Sequence, residues 1–120
     1  MNGQVAIPNL MAVIDSFRGE AEFLSNFHPS PIASPAGLGI AATVEHAFQA
    51  CKTRDVDEQL AILAAATPGQ AKRLGRQVTL REDWEEIKVA VMRRLVEAKF
   101  EIPELREQLV ATGDALLIEG

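Results

Sequence analysis

The chain has 120 residues, 48% of them apolar, which suits one domain with a packed core and excludes a disordered polyelectrolyte. Twelve Lys and Arg against seventeen Asp and Glu leave a net charge of −5, which argues against a broadly basic surface for nucleic acid or anionic lipid but not against a local cationic patch. The lone cysteine, Cys51, excludes an intrachain disulfide framework and a cysteine-ligated metal cluster, and a reducing, cytoplasmic setting is the simplest expectation.

No apolar run approaches the ~20 residues of a spanning helix, and MNGQVAIPNL lacks a basic leader region, so neither a membrane span nor a secretory signal is expected. Residues 1–10 read as a lead-in broken by Pro8 and Asn9, and residues 11–17 (MAVIDSF) as a short strand. The main domain is expected from residue 17 to residue 120, with 1–16 preceding it. Residues 18–42 carry Pro29, Pro31, Pro35, Gly37 and Gly39, a density that excludes a long helix and predicts ordered loop with strand pieces near residues 38–41. A loop this long in a small domain is a candidate functional element.

From residue 43 the pattern turns helical. Thr43 is a candidate cap, and Val44, Ala47, Phe48 and Cys51 follow as one apolar stripe. A second helix is expected over residues 56–66, with Leu60 and Leu63 inward. Thr67-Pro68-Gly69-Gln70 predicts a third start, with Thr at the cap, Pro at the first position and Gln closing a capping box; this helix should stop near Gly75. Asp83 and Glu86 predict a capping box on the longest helix, whose stripe is Trp84, Ile87, Val91, Leu95 and Ala98. A fifth helix runs from Pro103 through Leu105 and Leu109 and ends before Gly113, and residues 115–118 suit a strand. The sum is an α+β single domain, mainly helical, with about five helices and a few short strands.

Glu45, Gln49 and Lys52 recur at i, i+4 and i+7, placing a carboxylate, an amide and an ammonium on one helix face. That face is either a polar site or a solvated surface with an internal hydrogen bond. Lys72, Arg73 and Arg76 follow a capped helix start, which suits a phosphate or an ordinary charged exterior. Trp84 either stacks on a ligand ring or anchors the long helix in the core. Lys88, Arg93, Arg94 and Lys99 read as solvated. His28 and His46 have no metal-ligand spacing with Cys51 or a carboxylate, and His46 reads as a capping or packing residue. Cys51, on the apolar stripe, has no base beside it in sequence and is not a candidate nucleophile.

Four ordered blocks resemble the NADAR family, also called YbiA-like: FRGEAEFLSNFHPSPI (17–32), TVEHAFQACKT (43–53), TPGQAKRLGRQVTLREDWEEIKVAVM (67–92), and LVEAKF followed by PELREQLVATGDALLIEG. The resemblance implies an N-glycosidase that hydrolyses the ribose C1–N bond of a phosphorylated ribosylamino-pyrimidine of the riboflavin pathway, or removes ADP-ribose from a base. It implies Glu45 and Trp84 as catalytic residues. Phe23, Ser25, Asn26 and Phe27 of FLSNF would line the pocket, Gln49 and Lys52 would orient ribose or phosphate, and Lys72 and Arg76 would bind phosphate. No cofactor or metal is implied. The partners implied are a small phosphorylated N-riboside, an ADP-ribosyl group or ADP-ribosylated nucleic acid, with no membrane. His28 stands where relatives carry Tyr. Family members continue beyond the position of Gly120 into an Asp-containing segment with a Trp-Gly pair, so the family domain is expected to be C-terminally incomplete here; Asp114 belongs to the segment before it. The alternative is a non-catalytic ADP-ribose or nucleotide-binding module, or an inactive fragment.

Overall fold

A computed structural model describes residues 13–14, 19–34, 37–113 and 116–117. The elements run β1 (Val13–Ile14), a 3-10 helix (Gly19–Leu24), β2 (Ile32–Ala33), β3 (Ile40–Ala41), α1 (Val44–Ala50), α2 (Val56–Leu63), α3 (Pro68–Gly75), α4 (Trp84–Lys99), α5 (Pro103–Ala111) and β4 (Leu116–Leu117). The mainly helical architecture and the five helices match expectation. β1 pairs in parallel with β4, bringing the two ends of the described chain together, and β2 pairs antiparallel with β3. The expected lead-in at residues 1–10, Pro35 and Asp114 lie outside the described residues.

Helix α1 is the hub, packing against α2, α3, α4 and β3. It is seven residues long, too short to persist on propensity alone, so its stability comes from burial. Val44, Glu45, His46, Ala47, Gln49 and Ala50 are all buried, leaving no solvated face. Ile32, Ala41, Val44, Ala47 and Leu95 form the central cluster, which Phe48, Val91, Met92 and Ala98 extend. Ala50, Ile62 and Ala71 tie α1 to α2 and α3. Phe23, Leu24 and Leu105 join the 3-10 helix to α5.

The caps at Thr43 and Thr67 form as expected. The Thr43 hydroxyl accepts from the His46 backbone N–H at 3.1 Å. The Thr67 hydroxyl accepts from the Gln70 N–H at 3.1 Å, but the expected box is not closed on Thr67: the Gln70 amide oxygen accepts instead from the Ala66 N–H, one residue before the cap, at 2.9 Å. Helix α3 ends at Gly75, and Gly113, at φ +60°, follows α5 in the left-handed conformation that terminates a helix.

Three further expectations are corrected. The Asp83 carboxylate does not cap α4: it accepts two bonds from Arg81, at 2.6 and 3.0 Å, so the helix starts without a side-chain cap. Leu60 is 45% exposed and Ile62 takes the inward position, because α2 turns the Gln59, Ile62 and Leu63 face toward α1. Lys99 is buried rather than solvated, whereas Arg93 and Arg94 are exposed. Two elements were not legible, the 3-10 helix and β2. Both lie in the Pro-rich stretch, where no periodicity is long enough to read.

One carboxylate clips α2 to the strandless segment before α4. Glu58 accepts from the Thr53 hydroxyl at 2.6 Å and from the Thr79 backbone N–H and hydroxyl at 3.0 and 3.1 Å. The Thr53 hydroxyl bond, then the Thr79 N–H, holds the Glu58 carboxyl below its ordinary value of 4.5. A depressed folded value means that this stabilisation is complete above pH 4.5 and is lost as pH falls toward the lower folded value. Glu58→Gln is therefore expected to lower the melting temperature at pH 7, with the gap from the parent chain narrowing on acidification below 4.5. Thermal melts from pH 3 to pH 7 check this, and a gap independent of pH contradicts it.

Candidate active site

Glu45 sits in the first turn of α1, where backbone N–H groups have no partner within the helix and the dipole favours negative charge. Its own N–H donates to the Asn26 carbonyl at 3.0 Å, so the FLSNF loop completes the helix start. The side chain is only 7% exposed, and one carboxylate oxygen accepts from the Gln49 amide at 2.5 Å. This bond fixes the amide orientation, since a flipped Gln49 would set oxygen against carboxylate. The Gln49 oxygen is buried and has no hydrogen-bond partner among the described residues.

Gly75 explains how that amide fits. A Cβ at Gly75 would fall 1.9 Å from the Gln49 Oε1 and 2.7 Å from its Cδ, so α3 can approach α1 only through glycine. The approach carries the α3 cations with it. Burial pushes the Lys52 ammonium below its ordinary value; the Glu45 carboxylate opposes that shift, and the charges of Arg76 and Lys72 add to it. Glu45, Lys72 and Arg76 thus lie within electrostatic reach of Lys52. Its backbone is fixed by the Arg81 N–H, which donates to the Lys52 carbonyl at 2.7 Å.

The structure therefore gathers Glu45, Gln49, Lys52, Lys72 and Arg76, with Asn26 attached through its carbonyl. Ser25 stays in the loop, its hydroxyl accepting from the Phe27 N–H at 3.0 Å, and Phe27 is 40% exposed. Phe23 is in the core rather than on an open pocket wall, its ring edge-on to Phe100 at 6.4 Å. Trp84 is 5% exposed and packs on Phe48 at 5.0 Å between centroids, so its ring anchors α4 to α1. Phe48 also borders an open apolar cavity of about 530 Å³ lined by Val89, Met92 and Val96.

Two other groups fall away from the chemistry. His46 donates from Nε2 to the Ala65 carbonyl at 3.0 Å, which leaves Nδ1 to accept from the Thr43 hydroxyl at 2.9 Å; it is a packing residue, as its position suggested. Burial pushes the Cys51 thiol up to about 11, with Arg81 only partly offsetting it, so the thiol is protonated at neutral pH. No group of three or more His, Cys, Asp or Glu side chains is placed to hold a metal among the described residues. No described helix is long and apolar enough to cross a membrane.

Sequence reasoning missed Gly75, which reads only as a helix stop, and Arg81, which reads only as a loop cation. The Gly75 contact carries a direct test. Alanine there is expected to lower stability by about 1–3 kcal/mol by overpacking, although alanine favours helix, because Gln49 must leave Glu45 to make room. Denaturant unfolding measures this, and a Gly75→Ala chain as stable as its parent contradicts it.

Known proteins share the sequence and the fold over most of the chain. The NADAR domain family matches residues 16–120. The chain is 45% identical over 97 residues to the N-glycosidase Npun_R5314 of Nostoc punctiforme, covering 72% of this chain and 62% of that protein. It is 42% identical over 100 residues to the riboflavin biosynthesis protein VVA0006 of Vibrio vulnificus, covering 81% of this chain and 27% of that one. The NMR structure of the Escherichia coli protein YbiA superposes with a TM-score of 0.74 at 38% identity, covering 94% of this chain and 70% of YbiA. The chain thus spans less than two thirds of the length of either the Nostoc or the Vibrio relative. With its helical order, its buried TVEH helix and a match over residues 16–120, the chain belongs to the NADAR family.

Proposed function

We propose that the domain is an N-glycosidase that hydrolyses the ribose C1–N bond of a phosphorylated ribosylamino-pyrimidine. The observation that carries this reading is a buried carboxylate, Glu45, tied to Gln49 and within electrostatic reach of Lys52, whose ammonium also feels Arg76 and Lys72. The similarity to an N-glycosidase and to a riboflavin biosynthesis protein supports the reaction class.

Cleavage of the C1–N bond leaves its electron pair on the base nitrogen and positive charge on the ribose ring. A fixed carboxylate near C1 stabilises that charge and takes a proton from the water that adds to C1. The departing nitrogen gains a proton, so one water is consumed per bond broken. The cations hold the phosphate, and Gln49 keeps the carboxylate in one orientation. Trp84 serves this site through packing: by holding α4 on Phe48 it keeps α1 in place. Ser25, Asn26 and Phe27 form the loop edge, where the exposed Phe27 ring is available to a base.

Removal of ADP-ribose from a base breaks the same kind of bond. A net charge of −5 with only a local cation group favours one or two phosphates over a duplex, so the small riboside comes first. The same cation group also suits a second reading, a nucleotide-binding module without turnover.

The deciding assay incubates the chain with a phosphoribosylamino-pyrimidine, and separately with ADP-ribosylated guanine DNA, and follows released ribose phosphate or ADP-ribose by mass spectrometry. Glu45→Gln keeps an oxygen to accept from Gln49, so the fold should survive while release falls by at least about 100-fold. Equal release by the variant removes Glu45 from the mechanism. Saturable binding of ribose 5-phosphate without release by the parent chain favours the binding module.

A further inference from the structure

Lys99 is a lysine only 1% exposed at the last position of α4, and the mechanism above does not use it. Its Nζ donates to the Ser25 carbonyl at 2.7 Å, 74 residues away in sequence, and lies 5.2 Å from the centroid of the neighbouring Phe100 ring. Phe100 in turn packs edge-on against Phe23. The Lys99-Phe100 pair therefore grips the FLSNF loop at two points, a carbonyl and a ring. The next residue in that loop, Asn26, gives its carbonyl to the Glu45 N–H at 3.0 Å.

The helix geometry makes this last bond consequential. The N–H groups of the first turn of α1 find no carbonyl inside the helix. Thr43 serves the His46 N–H, and Asn26 serves that of Glu45. The Ala47 N–H, one turn in, is bonded to the Thr43 carbonyl and is independent of the loop. We propose that Lys99 is a positioning residue for Glu45: by fixing the Ser25 carbonyl it sets the Asn26 carbonyl that orients the start of α1 and the carboxylate on it. The catalytic consequence rests on the reading of Glu45 as the reacting carboxylate; the positioning itself does not.

The test compares the parent chain with Lys99→Met, which keeps length and packing but cannot donate. Removing the amine leaves the Ser25 carbonyl without this donor, so some loss of global stability is expected and the deciding readouts are local ones. Backbone amide hydrogen exchange is read by NMR at Glu45, Ala47 and Leu95, and kcat and KM are measured on the phosphoribosylamino-pyrimidine. The expected result is Glu45 exchange at least tenfold faster with Ala47 and Leu95 unchanged, and kcat at least tenfold lower with KM within threefold. Unchanged Glu45 exchange overturns the proposal, as does faster exchange with kcat intact. Uniform acceleration at all three amides also overturns it, since the amine would then support the whole core. Lys99→Gln, also neutral but shorter, is measured in parallel; if neither variant folds, a local role is excluded. A parent chain without turnover contradicts the glycosidase reading alone, and Glu45 exchange then decides the positioning.

Discussion

The hydrogen bond between Gln49 and Glu45, inside a helix buried on every side, is the constraint to which the rest of the structure answers. Burying a carboxylate is costly unless it is paired or hydrogen-bonded, so the surroundings of α1 must supply partners. Two reach the carboxylate, an amide one turn along the same helix and the cation Lys52 beyond the C-cap, while the Asn26 carbonyl takes the backbone N–H of the same residue. The glycine at position 75 is the steric condition for this, because α3 could not otherwise lie against Gln49.

Helix α4 stabilises the same centre from both ends. Its first residue, Trp84, packs on Phe48 of α1, and its last, Lys99, fastens the loop that completes the α1 start. Along its length of about 24 Å, Val91, Met92, Leu95 and Ala98 pack into the central cluster. A short helix bearing the buried carboxylate is thereby held in place by a long one. This division suits catalysis by electrostatic preorganisation, in which the charged group must not relax as charge develops.

Much of this was legible in the sequence, and the rest was hidden for identifiable reasons. The five helices show because their apolar residues recur at helical spacing and because Thr43, Thr67 and Pro103 mark starts. The i, i+4 relation of Glu45 and Gln49 is local, so their contact could be read directly. Whether that face meets water could not, because the answer depends on Gly75 and the α3 approach, a contact 26 residues away. Lys99 misleads for the same reason: its partner is 74 residues distant, and a lysine at a helix end is ordinarily solvated. Asp83 has the spacing of a cap but lies two residues from Arg81, and a charge-assisted bond outcompetes a neutral N–H. The assignment of chemistry to Glu45 came from resemblance to the NADAR family, since spacing alone describes a polar face without naming a reaction.

The Glu45–Gln49 pair is the claim on which the account stands, and the Gln49 side-chain amide reports on it directly. The proton and nitrogen resonances of that NH2 group are compared by NMR between the parent chain and Glu45→Gln. The account predicts that replacing the charged acceptor by a neutral one moves the bonded Gln49 amide proton upfield and speeds its exchange with solvent. Gln49 amide shifts and exchange unchanged in the variant would show that the two side chains are not joined.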